Sequence, residues 1–294
     1  MPTSSESLVV RIAPPLFVFL WSTGFIGAKY GLPYAEPMTY LTWRMALVSA
    51  IFVAVVAIVR PRRLSAAETA HSMVAGTLVH GLYLGGVFSA ISLGVPAGIS
   101  ALIAGLQPLL TATLASRFLG ERVTALQWIG LVAGLVGVML VLHDRDVTEG
   151  AALAGWIATV ISLLGITLGS LYQKRFCTTI DWRAGNLVQF VTCTVLFGAA
   201  AFAFETRVVQ WTFEFVFALG WMVVVMSGGA IALMYWLIRR APATQVASLF
   251  YLVPTVTALL AYLVFDERLS PLALVGMAIC AVAVFLVNVR PGRW

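Results

Sequence analysis

Ten runs of about twenty apolar residues follow one another along the chain, separated by short polar stretches. With ends read to within several residues, they cover 11–31, 37–59, 70–93, 96–118, 125–143, 151–172, 185–204, 215–238, 243–264 and 270–290. A helix of that length matches the roughly 30 Å hydrocarbon core of a bilayer. The runs are continuous rather than alternating, which excludes a transmembrane β-barrel. The pattern predicts an all-α polytopic membrane protein with ten transmembrane helices. Its main polar connections, 60–70, 143–150 and 173–183, are too short to be soluble domains.

The ten runs contain one stretch twice. PAGISALIAGLQPLLTATLASRFLGERVTALQWIGLVAGLVGVMLVL begins at Pro96, and PATQVASLFYLVPTVTALLAYLVFDERLSPLALVGMAICAVAVFLVN begins at Pro242. Without a gap, Pro108 meets Pro254, Thr111-Ala112 meets Thr257-Ala258, Glu121-Arg122 meets Glu267-Arg268, and Gly130 meets Gly276. The chain therefore divides into two five-span halves, 11–143 and 151–290. Five is odd, so the second half enters the membrane with inverted topology. That layout places a substrate site near the midplane, in a central cavity between repeats that exchange shapes.

Composition agrees with the pattern. Hydrophobic residues make up 61% of the 294 and charged residues only 10%, against roughly a quarter in soluble domains. The net charge of +6 sits mostly between spans, where it sets orientation rather than attracting nucleic acid. Alternating the spans from a cytoplasmic N-terminus puts thirteen Arg and Lys inside and four outside, with Arg44 within a span. Both termini are thereby assigned to the cytoplasm. The first run lacks a small-residue cleavage site and reads as an uncleaved helix. Cys177, Cys193 and Cys280 lie far apart and read as packing residues, with no metal or other cofactor implied.

FLGERVTALQWIGLVAGLVGVMLVL and its twin FDERLSPLALVGMAICAVAVFLV resemble the EamA domain of the drug/metabolite transporter superfamily. FLWSTGFIGAKYGL, TWRMALVSA and SAISLGVPAGISALIAGLQPLL are similar to the first helices of that domain. The sixth span, with LGSLYQKRF, departs furthest from the pattern. Among the branches, the chain is most similar to the YddG-type exporters of aromatic and other neutral amino acids. The resemblance implies a ten-helix inverted-repeat carrier with a central cavity that exports small metabolites across the bacterial inner (plasma) membrane; the chain is expected to work as a monomer.

Depth along each span picks the candidate site. Every Asp and Glu lies at a span end or in a connection, and none at mid-bilayer, where proton and cation sites place their carboxylates. Where the related small multidrug exporters carry a membrane glutamate, this chain has Trp21-Ser22-Thr23. A substrate without net charge fits better than a cationic drug. Near the midplane fall Trp21, Ser22, His80, Tyr83, Gln107, Ser162, Ser227 and Tyr251, polar and aromatic groups that suit a small amphipathic solute. A lone Ser in a membrane helix more often bonds its own backbone. His80, ionisable at depth, is the stronger candidate, with Tyr83 on the same face. Pro108 and Pro254 each remove a backbone bond at matching points and read as hinges or helix breaks, against a fixed kink needed only for packing.

Other charged and small residues read as structural. Arg44, about 10 Å into its span, snorkels outward or holds Glu36 more readily than it binds a substrate carboxylate. Lys29 and Lys174 stand in comparable places as gate charges or topology markers. Glu121-Arg122 and Glu267-Arg268 read as helix caps. Gly130 and Gly134, matched by Gly276 and Cys280, predict that the fifth and tenth spans pack together.

The function that emerges is export of small neutral metabolites, aromatic and other neutral amino acids prominent, by alternating access. Its alternatives are a multidrug or other metabolite carrier and, further off, a channel-like facilitator. An intramembrane enzyme would need paired acids, a metal cluster or a nucleophile with its base at depth, and the sequence offers none.

Overall fold

A computed structural model describes residues 4–95, 100, 104–142, 152–265 and 270–288. Side chains are described within these ranges except at 4–11, 25, 26, 29, 141, 142, 258 and 261–265. Pro96, the side chain of Lys29, the 143–150 connection and the Glu267-Arg268 pair thus lie outside the described residues.

The described residues form ten helical stretches: α1 (Ser4–Gly31), α2 (Pro37–Val59), α3 (Ala66–Ser92), α4 (Gln107–Phe118), α5 (Ala125–Leu142), α6 (Leu153–Phe176), α7 (Trp182–Phe204), α8 (Phe213–Arg240), α9 (243–265) and α10 (Pro271–Asn288). Six of them, α2, α3, α6, α7, α8 and α10, are long and apolar enough to cross a bilayer whole. The only β feature among the described residues is one isolated bridge between Ala35 and Val209.

Local sequence sets the helix ends. Pro37 opens α2, where its missing N–H costs nothing. Ser65 and Glu68 form a reciprocal capping box on α3. Asp181 caps α7 through the N–H groups of Arg183 and Ala184. Apolar side chains cover the outside as well as the core: Ile58, Phe204 and Phe213 are each at least 80% exposed. Water would not tolerate so continuous an apolar coat, and lipid does.

The packing is reciprocal between the halves. α2 lies along α7 and α5 along α10, each on its own counterpart. α3 packs on α6 as α8 packs on α1, and α4 packs on α6 as α9 packs on α1. A two-fold relation between halves of five helices produces this pattern.

The predicted contact between the fifth and tenth spans is present, with one change of detail. A Cβ on Gly130 would lie 3.0 Å from the Ala283 carbonyl, and one on Gly137 2.8 Å from the Gly276 carbonyl. Backbones approach that closely only without side chains between them. Gly134 instead faces the Tyr251 ring of α9.

Pro108 lies at the start of a helix, and Pro254 follows a tightened turn within a continuous one. Pro108 is the second residue of α4, just after a turn at Gly105–Leu106. α9 runs as Ala243–Ser248, a tighter 3-10 turn at Leu249–Tyr251, and then Leu252–Phe265 with Pro254 near its start. α4 and α9 are thus interrupted at matched points, and each proline sits where its missing donor is least costly.

Candidate functional site

Two further irregularities are matched. α3 widens to i→i+5 turns over Thr77–Leu82, and α8 does the same over Met222–Ala230. Such turns insert a residue, rotate the following face and commonly mark functional sites. In α8 the Ser227 hydroxyl donates to the Met222 carbonyl five residues back, at 3.1 Å. In α3 the Tyr83 N–H donates to the Leu78 carbonyl.

Between the widened turn of α8 and the segment of α3 that follows its own lies a narrow cavity of about 30 Å³. Trp21, Gly24 and Ala28 of α1, Arg44 of α2, Tyr83, Leu84, Val87 and Phe88 of α3, and Met222, Met226 and Ile231 of α8 line it. Trp21 Nε1 donates to the Tyr83 hydroxyl at 3.2 Å, with the two rings stacked at 6.0 Å. Phe17 and Phe250 pack behind Trp21 and hold its ring in place. The walls are aromatic and thioether surface, suited to an apolar body.

Arg44 is the one charged residue in this lining, and its guanidinium is almost completely buried. Its Nε and Nη2 both donate to Ser227 Oγ at 3.1 Å, while Nη1 has no hydrogen-bond partner among the described residues. Glu36, expected as a partner, accepts instead from the backbone N–H and hydroxyl of Thr206. The expectation that Arg44 snorkels outward is therefore overturned. The widened turn of α8 brings a hydroxyl to meet it inside the bundle.

A second polar group adjoins the first. The Tyr235 hydroxyl donates to Gln189 Oε1 at 2.7 Å and lies 3.4 Å from His80 Nε2. His80 Nδ1 has no hydrogen-bond partner among the described residues. Gln189 Nε2 reaches Gln173 Oε1 at 3.3 Å. From there a smaller pocket, about 10 Å³, opens among Ser72, Gln173, Asp181, Asn186, Gln189 and Arg239.

The residues picked by depth thus separate. Trp21 and Tyr83 line the main cavity, Ser227 holds Arg44, and His80 faces Tyr235 and the Phe190 ring. Ser22 donates to the carbonyls of Val18 and Val253, Ser162 to that of Thr159, and Tyr251 to that of Leu131. Gln107 is buried at the start of α4, its Oε1 unpartnered among the described residues. Arg44, Gln189 and Tyr235 belong to the polar interior and were not on the depth-based set.

Both ends of the bundle are tied across the halves. At one end Glu121 accepts from the first N–H groups of α9, at Ala243 (2.8 Å) and Thr244 (3.4 Å). Lys174 lies 3.8 Å from Glu121 and donates to the carbonyls of Ile238 and Ala241. At the other end Glu205 accepts from Met38 N–H, Thr39 N–H and the Thr39 hydroxyl, each at 2.7 Å. The Gln210 N–H donates to the Tyr34 carbonyl there. Arg239 and Arg183 share the Glu121 end, where Arg239 reaches the carbonyls of Cys177 and Ile180.

Comparisons with known proteins agree with this architecture. The EamA-like transporter family matches the chain twice, over residues 15–143 and 153–289. A protein of Escherichia coli (strain K12) named "Probable amino-acid metabolite efflux pump" is 24% identical, over 95% of this chain and 94% of its own. "Uncharacterized transporter YvbV" of Bacillus subtilis (strain 168) is also 24% identical, over 93% of this chain and 89% of its own. "Probable terminal-alkyne amino-acid exporter" of Streptantibioticus cattleyicolor is 30% identical over 67% of this chain and 65% of its own. A solved crystal structure superimposes with a TM-score of 0.80 at 20% identity, over 95% of this chain and 96% of that one. At that identity it speaks for the fold alone.

Proposed function

The chain belongs to the EamA-like transporter family, and we propose that it exports small neutral metabolites, neutral and aromatic amino acids prominent, by alternating access. It is a transporter of small molecules rather than an enzyme. The observation that carries the finer reading is the apolar and aromatic cavity between the halves, with one buried guanidinium in its wall. A small solute with an apolar body and a polar head fits such a site. Relatives named for amino-acid metabolites and a terminal-alkyne amino acid support the same class.

In this reading the segments 11–143 and 151–290 act as the two moving halves, hinged at Pro108 and Pro254. The end that carries Glu121, Lys174, Arg183 and Arg239 faces the cytoplasm, as the basic excess requires, and both termini lie on that side of a bacterial inner membrane. The transporter works as a monomer. Proteoliposomes preloaded with radiolabelled phenylalanine or threonine test the substrate class. The expected result is release well above that of empty-membrane vesicles, accelerated by unlabelled amino acid on the opposite side. Release of an unrelated solute with no release of either amino acid would overturn the reading. Flux without such acceleration would favour a channel-like facilitator.

A further inference from the structure

We propose that Arg44 is the carboxylate anchor of the central cavity, and that the site binds apolar acids more tightly when they carry no free ammonium. This rests on the amino-acid reading above and moves its preferred ligand from the zwitterion to the monoanion. An arginine presents five N–H donors and stays charged at any physiological pH. Ser227 takes two donor directions of Arg44, and Nη1 has no partner among the described residues although it is buried at the cavity wall. Ion pairs among the described residues join Arg62 to Glu68, Lys174 to Glu121 and Arg183 to Asp181, and none involves Arg44. A guanidinium withdrawn from water with a single neutral hydroxyl as partner is under-compensated. A ligand carboxylate supplies the missing acceptor and charge in a charge-assisted hydrogen bond.

The rest of the lining sets the remainder of the ligand. Among the described residues it holds no carboxylate, so no fixed negative charge balances an ammonium placed beside Arg44. Trp21, Tyr83, Phe88, Met222 and Met226 provide an aromatic and thioether wall. A monoanion leaves the cavity neutral, whereas a zwitterion leaves it with one net positive charge in a poorly solvated space. The predicted order is therefore N-acylated, 2-oxo or deaminated acid first, the parent amino acid next, and its amide or amine last.

The test uses ligands with one apolar body and different heads: 3-phenylpropionate, N-acetylphenylalanine, phenylalanine, phenylalanine amide and 2-phenylethylamine. Binding to the purified full chain in nanodiscs is measured by titration calorimetry, on wild type and on Arg44→Gln. Glutamine is chosen because Gln189 already occupies the corresponding place in α7. In wild type the two monoanions are expected to bind at least about tenfold more tightly than the amide and amine, with phenylalanine between. In Arg44→Gln that difference collapses. Equal affinity for acid and amide in wild type, or an unchanged acid preference in Arg44→Gln, overturns the anchor while leaving amino-acid export intact. Binding of none of the five overturns both readings. The wild-type series decides the matter without the variant, should the variant fold poorly.

Discussion

Arg44 and Gln189 stand at the same place in two matched helices, each seven residues into a 23-residue stretch. Each reaches toward a widened turn of the opposite half. Arg44 donates to Ser227 in α8, and Gln189 connects to His80 in α3 through the Tyr235 hydroxyl. The fold is two-fold, but its chemistry is not: one of the two matched meetings joins a cation to a hydroxyl, and the other is a neutral chain of amide, phenol and imidazole. In the proposed alternating access, a symmetric frame would let the two openings exchange and an asymmetric lining would select one polarity of solute.

Ser227→Ala removes the acceptor of two Arg44 donors and leaves the guanidinium with no described partner. A hydrogen bond to a charged buried group contributes about 1.5–3 kcal/mol. The expected result is a lower thermal midpoint in nanodiscs, restored in large part by a carboxylate ligand and by Ser227→Thr. An unchanged midpoint would mean that Arg44 finds another acceptor.

Hydropathy made the ten spans legible, and the gap-free repeat made the matched interruptions at Pro108 and Pro254 legible. Depth is legible too: of the residues it picks, Trp21 and Tyr83 line the cavity and Ser227 meets Arg44. What depth cannot supply is azimuth, the face of a helix that turns inward. Ser22, Ser162 and Tyr251 share the level of the cavity but spend their hydroxyls on carbonyls. Arg44 was read as snorkelling because its distance from the span end permits that. The widened turn of α8, which presents Ser227 to it, has no hydropathy signature. One available signal was missed: Arg44 and Gln189 are polar residues at equal distances from the N-caps Glu36 and Asp181. The repeat offset there is 145 rather than 146.

The α5–α10 contact admits a sharp control. Gly137→Ala places a methyl 2.8 Å from the Gly276 carbonyl and 2.9 Å from the Cys280 nitrogen, and backbone cannot yield cheaply. Overpacking of this kind costs about 1–3 kcal/mol. Gly220→Ala has no neighbour within 4 Å and is expected to be neutral or slightly stabilising in its helix. Thermal unfolding of the pair checks it: equal midpoints would mean that the two helices separate freely.

Glu36 supplies the pH prediction. It lies outside the spans, and its carboxylate is held below the ordinary value of 4.5, first by the Thr206 hydroxyl and then by backbone N–H groups and Arg207. A depressed folded-state pKa means that the ionised form is preferred in the folded protein. Its contribution is therefore fully present above about pH 4.5 and is lost as pH falls below that value. The difference in thermal midpoint between wild type and Glu36→Gln should stay constant from neutral pH down to about 5 and shrink at lower pH. A difference that grows on acidification would reverse the sign and place the proton on the folded form.

Glu121 ties the basic end shut across the halves. Its carboxylate belongs to the connection between α4 and α5, yet it accepts from the N-terminal N–H groups of α9 and faces Lys174 of α6. A carboxylate at a helix N-terminus is favoured by both hydrogen bonding and the helix dipole. Glu121→Gln keeps the size and one acceptor oxygen but removes the charge that holds α9 and Lys174 together. The latch should then open more often, exposing the first turn of α9. A cysteine introduced at Thr244, which is buried with the latch closed, reports this by its rate of labelling with a membrane-impermeant maleimide in inside-out vesicles. Labelling is expected to rise several-fold, on the order of 0.5–1 kcal/mol of gate energy, in Glu121→Gln. A substrate that favours the closed end should suppress it again. Unchanged labelling would show that burial of α9 against α4, rather than the Glu121 charge, keeps this end closed.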